Sequence, residues 1–67
     1  MSANFEKYIY AAYLQILRKA NYESLTEEQQ EFVRQRAYEE ISEITGLNEW
    51  HVVSIIQNEE FANEFGA

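Results

Sequence analysis

One glycine, Gly46, lies inside this chain. The only other is Gly66, next to the end, and proline is absent. Those are the two residue types that most readily interrupt a helix, so Gly46 is the one interior place where such a residue marks a break. The residues around it agree. Upstream, Ala37, Ile41 and Ile44 recur at spacings of four and three, which puts them on one helical face. Downstream, Val52, Ile55 and Ile56 recur in the same way. Gly46 fits the position just past a helix C-terminus, where the backbone turns left-handed and glycine carries no Cβ penalty. Asn48 can cap the helix that follows. Leu47 and Val52 have the spacing of a hydrophobic staple. A turn this short forces the two helices to cross steeply.

The stretch from Tyr38 to Gln57 resembles the helix-turn-helix of bacterial and phage repressors. The resemblance is carried by Ile41, the small Ser42, Gly46 in the turn, Leu47 after it, and then Val52 and Ile55. It implies that the exposed face of the second helix enters the major groove. Aligned on the glycine, that face holds Asn48, Glu49, Trp50, Val53, Ser54 and Gln57. Asn48, Ser54 and Gln57 suit base contacts. Glu49, Trp50 and Val53 do not. Thr45 stands where the family carries an apolar or small residue, and no lysine or arginine follows in the helix.

The remainder of the chain predicts two further helical segments around this unit. A first helix is expected over 3–20, capped by Ser2 or Asn4, with Arg18 and Lys19 at its end to complement the helix dipole. Phe5, Ile9, Ala12, Ile16 and Ala20 form its inward stripe, which Tyr13 and Leu17 widen. Tyr8, Tyr10 and Leu14 spread apolar surface around the other side. A second face that meets another molecule is one reading of this, with Tyr10 and Leu14 as candidates for a dimer interface. The other reading makes the tyrosines rim residues with solvated hydroxyls. Asn21 to Leu25 is a short polar connection. Two overlapping capping boxes, Ser24-x-x-Glu27 and Thr26-x-x-Gln29, start the second helix, expected over 26–45. Its inward residues are Val33, Ala37, Ile41 and Ile44, with Phe32 beside them. Arg34 and Arg36 read as solvated partners of neighbouring glutamates. The third helix is expected over 48–64, with Val52, Ile55, Ile56 and Phe61 inward. The fold expected is an all-α, small three-helix bundle with a helix-turn-helix-like second and third helix, formed as a single domain over 1–67.

Charge narrows the function. The net charge is −7 on 8.0 kDa, and glutamate supplies all twelve acidic groups. Residues 1–21 carry Lys7, Arg18 and Lys19 against Glu6. Residues 22–46 carry seven glutamates against Arg34 and Arg36, and residues 47–67 carry four glutamates with no cation. Such a surface repels phosphate and anionic membranes and favours basic partners. No cysteine is present, so disulfides and thiolate metal sites are excluded. A lone histidine with no aspartate argues against a histidine-rich metal site. No cofactor is expected. No apolar run approaches the ~20 residues of a membrane span and no leader pattern is visible, which reads as a cytoplasmic protein.

Catalysis is not expected. His51 is the only histidine, and its pairing with Ser54 on one helical turn lacks a third orienting group or an oxyanion loop. The adjacent glutamates at 27/28, 39/40 and 59/60 point about 100° apart on a helix and do not converge on a substrate. The sequence favours a small acidic interaction protein that binds and modulates or inhibits a nucleic-acid-binding protein. It would act by charge mimicry of DNA, in the style of phage and mobile-element inhibitors. Its expected partner-binding residues are Glu39, Glu40, Glu43, Glu49, Trp50, Val53 and Gln57. Trp50 either anchors that surface or tucks back to complete the core. The alternative is a dimeric helix-turn-helix transcription regulator, which the charge disfavours. A structural or assembly subunit is the third reading.

Overall fold

The computed structural model describes residues 3–58 and Asn63. Three helices form a bundle, with no strand among the described residues: α1 (Ala3–Lys19), α2 (Glu27–Thr45) and α3 (Glu49–Ile56). The first two match the expected bounds closely. Ser2, one of the two expected caps of the first helix, lies outside the described residues.

Between α1 and α2 the connection is more structured than a polar loop. Asn21 takes the left-handed conformation (φ 54°), which asparagine tolerates better than most side chains, and Tyr22–Ser24 wind into a 3-10 turn. The Ser24 hydroxyl donates to the Asn21 carbonyl at 2.8 Å, so the first of the two expected capping boxes is not formed. The second one is. Thr26 is the N-cap of α2. The Gln29 amide donates to its hydroxyl at 3.2 Å, and the Thr26 amide donates to the Gln29 side-chain oxygen at 3.1 Å. From α2, Gln30 donates to the Tyr22 carbonyl at 2.9 Å and Arg34 donates to the Tyr22 phenol oxygen. Arg34 is therefore a clamp on the connection, in contrast to the glutamate pairing expected of it.

The core draws on all three helices: Ile9, Tyr10 and Tyr13 from α1, Ala37 and Ile41 from α2, and Val52, Ile55 and Ile56 from α3. Ala37 and Val52 lose all exposure. Burial of a side chain the size of Val52 contributes roughly 1.5–3 kcal/mol. Phe5, Leu14, Ile16, Leu17, Tyr38 and Leu47 pack on this cluster from its edge. Four expectations need correction. Tyr10 is only 8% exposed, and Leu14 packs on the core, so neither stands on a free second face of α1. Tyr10 sits against Tyr13, with ring centroids 6.4 Å apart, and the five apolar residues of the expected stripe gave it no place. Ala12 of that stripe is exposed. Ile44, expected inward, is 78% exposed. It shares the helical phase of Ala37 and Ile41, but it lies in the last turn of α2, where no described residue covers it. The fourth concerns length: α3 ends at Ile56, not 64, with Gln57 in a turn whose amide returns to Val53. Asn63 is helical. Phe61 lies outside the described residues.

Gly46 terminates α2 with φ 79° and ψ 6°, and its amide donates to the Ser42 carbonyl at 2.9 Å. A Cβ added there would meet nothing within 4 Å. The requirement for glycine is therefore one of backbone conformation and not of space. Gly46→Val should cost more than about 1 kcal/mol in urea unfolding, since a β-branched residue is strained in the left-handed region. Gly46→Asn should cost less than the valine variant. Equal losses for the two would show that the turn does not depend on that conformation.

Candidate functional site

The turn that ends α2 also sets the surface around it. The Thr45 hydroxyl donates to the Ile41 carbonyl at 2.7 Å and accepts the Leu47 amide at 3.3 Å, while the Ser42 hydroxyl donates to the Leu47 carbonyl. Two hydroxyls thus brace the backbone on both sides of Gly46. Thr45 therefore has a structural role in this turn, through both hydrogen bonds of its hydroxyl. Asn48 begins α3 in extended conformation, but its side chain makes no capping hydrogen bond. Leu47 packs on the core, at the position expected of the staple residue.

With α3 held this way, Val52, Ile55 and Ile56 turn inward, and the opposite arc faces solvent. Glu49, Trp50, His51, Ser54 and Gln57 are exposed and Val53 is half-buried. Trp50 is 72% exposed, so it does not complete the core. Its indole stacks on the His51 imidazole, with centroids 5.8 Å apart and planes at 22°. On α2, Glu39, Glu40 and Glu43 are all exposed; Glu39 and Glu43 lie on the arc away from Ala37 and Ile41, and Glu40 on its flank, about 60° from Ala37. The expected partner-binding residues of α2 and α3 are therefore surface groups, Val53 excepted in part.

Two exposed apolar side chains were missed from the sequence. One is Ile44, discussed above. The other is Phe32, 64% exposed on the outer side of α2. Phe32 was detectable: five residues before Ala37, it lies about 140° around the helix from the buried line. It borders a shallow groove with Leu25, Glu28 and Val33. A second groove, lined by Leu14, Leu17, Arg18 and Tyr22, runs where α1 meets the 3-10 turn.

One polar group within the bundle is aromatic. Tyr13 and Tyr38 stack across the α1–α2 interface, centroids 5.7 Å apart and planes at 10°, with Tyr22 and Arg34 adjoining. Burial, and after it the neighbouring Tyr38 hydroxyl, push the Tyr13 phenol well above its ordinary range. The Tyr22 hydrogen bond favours the charged form of Arg34 and raises it likewise. A phenol so shifted stays neutral near pH 7, so Tyr13 is a packing and hydrogen-bonding group there rather than a base. No three histidine, cysteine or acidic side chains converge as a metal site among the described residues. Nor is any described helix long and apolar enough to cross a membrane. Comparison of the chain with family models, with curated proteins and with solved structures gave no match in any of the three.

The Tyr13 shift has a sign that can be tested. Its folded value lies above the unfolded one, so its contribution to stability is complete below about pH 10 and is lost as pH climbs through the folded value. Urea unfolding followed above pH 10 should show stability falling with pH. The slope should be shallower in Tyr13→Phe, which keeps the ring and removes the titrating hydroxyl. Parallel slopes would show that Tyr13 titrates alike in both states.

Proposed function

We propose that the protein is a small acidic interaction module that binds a basic, nucleic-acid-binding protein and occupies the surface its partner offers to phosphate. The observation that carries this is the exposed group Glu39, Glu40 and Glu43 on a firmly capped helix, with Glu49 exposed in the first turn of α3. A rigid helix presents charges at fixed spacing, as a phosphate backbone does, and so loses little entropy on binding. The exposed Trp50, ringed by Glu49 and His51, supplies the kind of aromatic anchor that dominates protein interfaces. Modulation or inhibition in the manner of phage and mobile-element proteins follows if the partner's nucleic-acid groove is the surface covered. No covalent chemistry is assigned to the protein, and a cytoplasmic location accords with such a partner.

A DNA-binding role for α2 and α3 has the resemblance to repressors in its favour, together with exposed Ser54 on α3 and the exposed Asn48 and Gln57 at its two ends. Charge opposes it. From Ala37 to the end the chain carries seven glutamates and neither lysine nor arginine. Affinity for duplex DNA rests mainly on cations that neutralise phosphate.

Capture from lysate identifies the partner, and kinetics on that partner then test the mechanism. Neutralising the group with Glu39/Glu40/Glu43→Gln should lower the association rate, with the loss shrinking as salt rises. Trp50→Ala should instead raise the dissociation rate with little dependence on salt. An unchanged association rate in the triple variant, or tight duplex DNA binding gained by it, would contradict the proposal.

A further inference from the structure

Phe32 is 64% exposed, and it lines a groove between the α1–α2 connection and the first turns of α2. Half-buried Ala20, Leu25 and Val33 give that groove its apolar lining, and exposed Glu28 and Glu31 give it charge. The members from α2 are also neighbours on the helix surface. Glu28 lies four residues before Phe32 and three before Glu31, spacings that bring Cβ atoms within about 5–6 Å. Two other polar residues of the lining, Thr26 and Gln29, are bonded to each other in the capping box. Among the described residues, no lysine or arginine lines the groove. Lys19 and Arg36 stand next to lining residues in sequence without joining them, and Arg34 is engaged with Tyr22. The groove beside Leu14 and Leu17 differs in this respect. It holds Arg18 and Glu23 together, so charge selects no occupant there.

Resting on the acidic-module reading above, we infer that the Phe32 groove receives an arginine side chain of the basic partner, carried beside an apolar residue. The guanidinium stacks on the exposed Phe32 ring and pairs with Glu28 and Glu31, while the apolar neighbour covers Ala20, Leu25 and Val33. Charge and shape together select this occupant. A helix start carries about half a positive charge, which the two glutamates outweigh. Lysine would satisfy the glutamates, but its ammonium is more strongly hydrated and lacks a plane to lay on the ring. Phosphate-bearing ligands are repelled. So is the chain's own segment 59–67, which carries three glutamates and no cation. A second copy would bring a net charge of −7 to a groove that is already acidic. Phe32, Glu39 and Glu43 also fall within about 40° of one another around α2, with Glu39 about 10 Å along the axis from Phe32. A basic segment lying along that arc reaches both. The inference adds Phe32, Glu28 and Glu31 to the binding surface and narrows the group recognised to arginine.

The probe is a short peptide, capped at both ends, with a Leu-Arg-Leu centre in a glycine–serine frame. It is titrated into the isotope-labelled full chain and followed by amide chemical shifts. Two controls replace the arginine by lysine and by citrulline, its neutral isostere. The arginine peptide should bind saturably, with the largest shifts at Ala20, Leu25, Phe32 and Val33. Lysine should weaken binding about fivefold and citrulline about tenfold or more. Phe32→Tyr should keep the preference for arginine over lysine, and Phe32→Leu, which retains apolar bulk without a ring, should lose it. Glu28→Gln combined with Glu31→Gln should weaken the arginine peptide and flatten its dependence on salt. The three peptides on the unmodified chain need no variant, so they decide the matter even where a substitution disturbs folding. Equal affinity for the arginine and lysine peptides, or shifts centred on Glu39, Glu43 and Glu49, would overturn the groove and leave the acidic-module reading standing. Absence of saturable arginine-peptide binding at millimolar concentration would overturn the groove as well. The acidic module fails separately, through an unchanged association rate of Glu39/Glu40/Glu43→Gln on the captured partner. A dimer in sedimentation that Phe32→Ala dissociates would place a second copy in the groove and overturn the inference.

Discussion

The left-handed turn at Gly46 is the constraint from which the rest of this fold follows. It stops α2, and within three residues it starts α3 in a direction that buries Val52 completely and packs Ile55 and Ile56 on α1 and α2. Without it the pattern on either side would run on as one long helix, and the two apolar faces could not close on each other. The turn is held by more than the glycine. Ser42 and Thr45 each bond backbone across it, so short polar side chains do at this corner what a longer loop would leave to water. Each such bond contributes on the order of 1 kcal/mol net. That is a sizeable share for a chain of this size, whose total stability is expected to be only about 3–10 kcal/mol.

The same turn separates two chemistries. One side of α3 is aliphatic and closed. The other carries an indole, an imidazole and glutamate. Most of the cations precede this surface in the chain, and Arg36 stands exposed on α2 itself, four residues before Glu40. Lys7, Arg18 and Lys19 lie on α1, and Arg34 secures the connection between α1 and α2. The aromatic seam of Tyr10, Tyr13 and Tyr38 lies between the first two helices and does structural work, which leaves the acidic surface free of it. An acidic and partly apolar surface on a braced frame is suited to basic proteins, and unsuited to phosphate, on the same electrostatic ground.

Most of the frame was legible in the residues. Thr26 with Gln29, and Gly46 with Leu47, are local signals whose physics needs no tertiary partner, and the structure forms both. What failed depended on length and coverage. Periodicity placed Ile44 inward because phase is a property of one helix, whereas burial requires a neighbour that reaches that far. Periodicity also counted Tyr10 outside a narrow stripe, although a phenol reaches the core from the stripe's edge and can stack there on a second ring. The end of α3 at Ile56 was not marked by any glycine or proline, so the pattern alone carried the helix too far. Of the candidate surface, the glutamates and Trp50 were visible in the sequence. The exposure of Ile44 became visible only once the fold showed what leaves it uncovered.

Whether the acidic surface serves protein or nucleic acid is decided most directly by titrating a labelled duplex of mixed sequence with the unmodified chain. Fluorescence anisotropy at physiological salt, and again at a tenth of it, reads the answer. The account predicts no saturable binding up to about 100 µM protein at either salt, weaker than the ~1–100 µM non-specific affinity typical of DNA-binding proteins. Saturable, sequence-selective binding in the ~10 nM range characteristic of specific DNA recognition would contradict it, and would return α3 to the major groove.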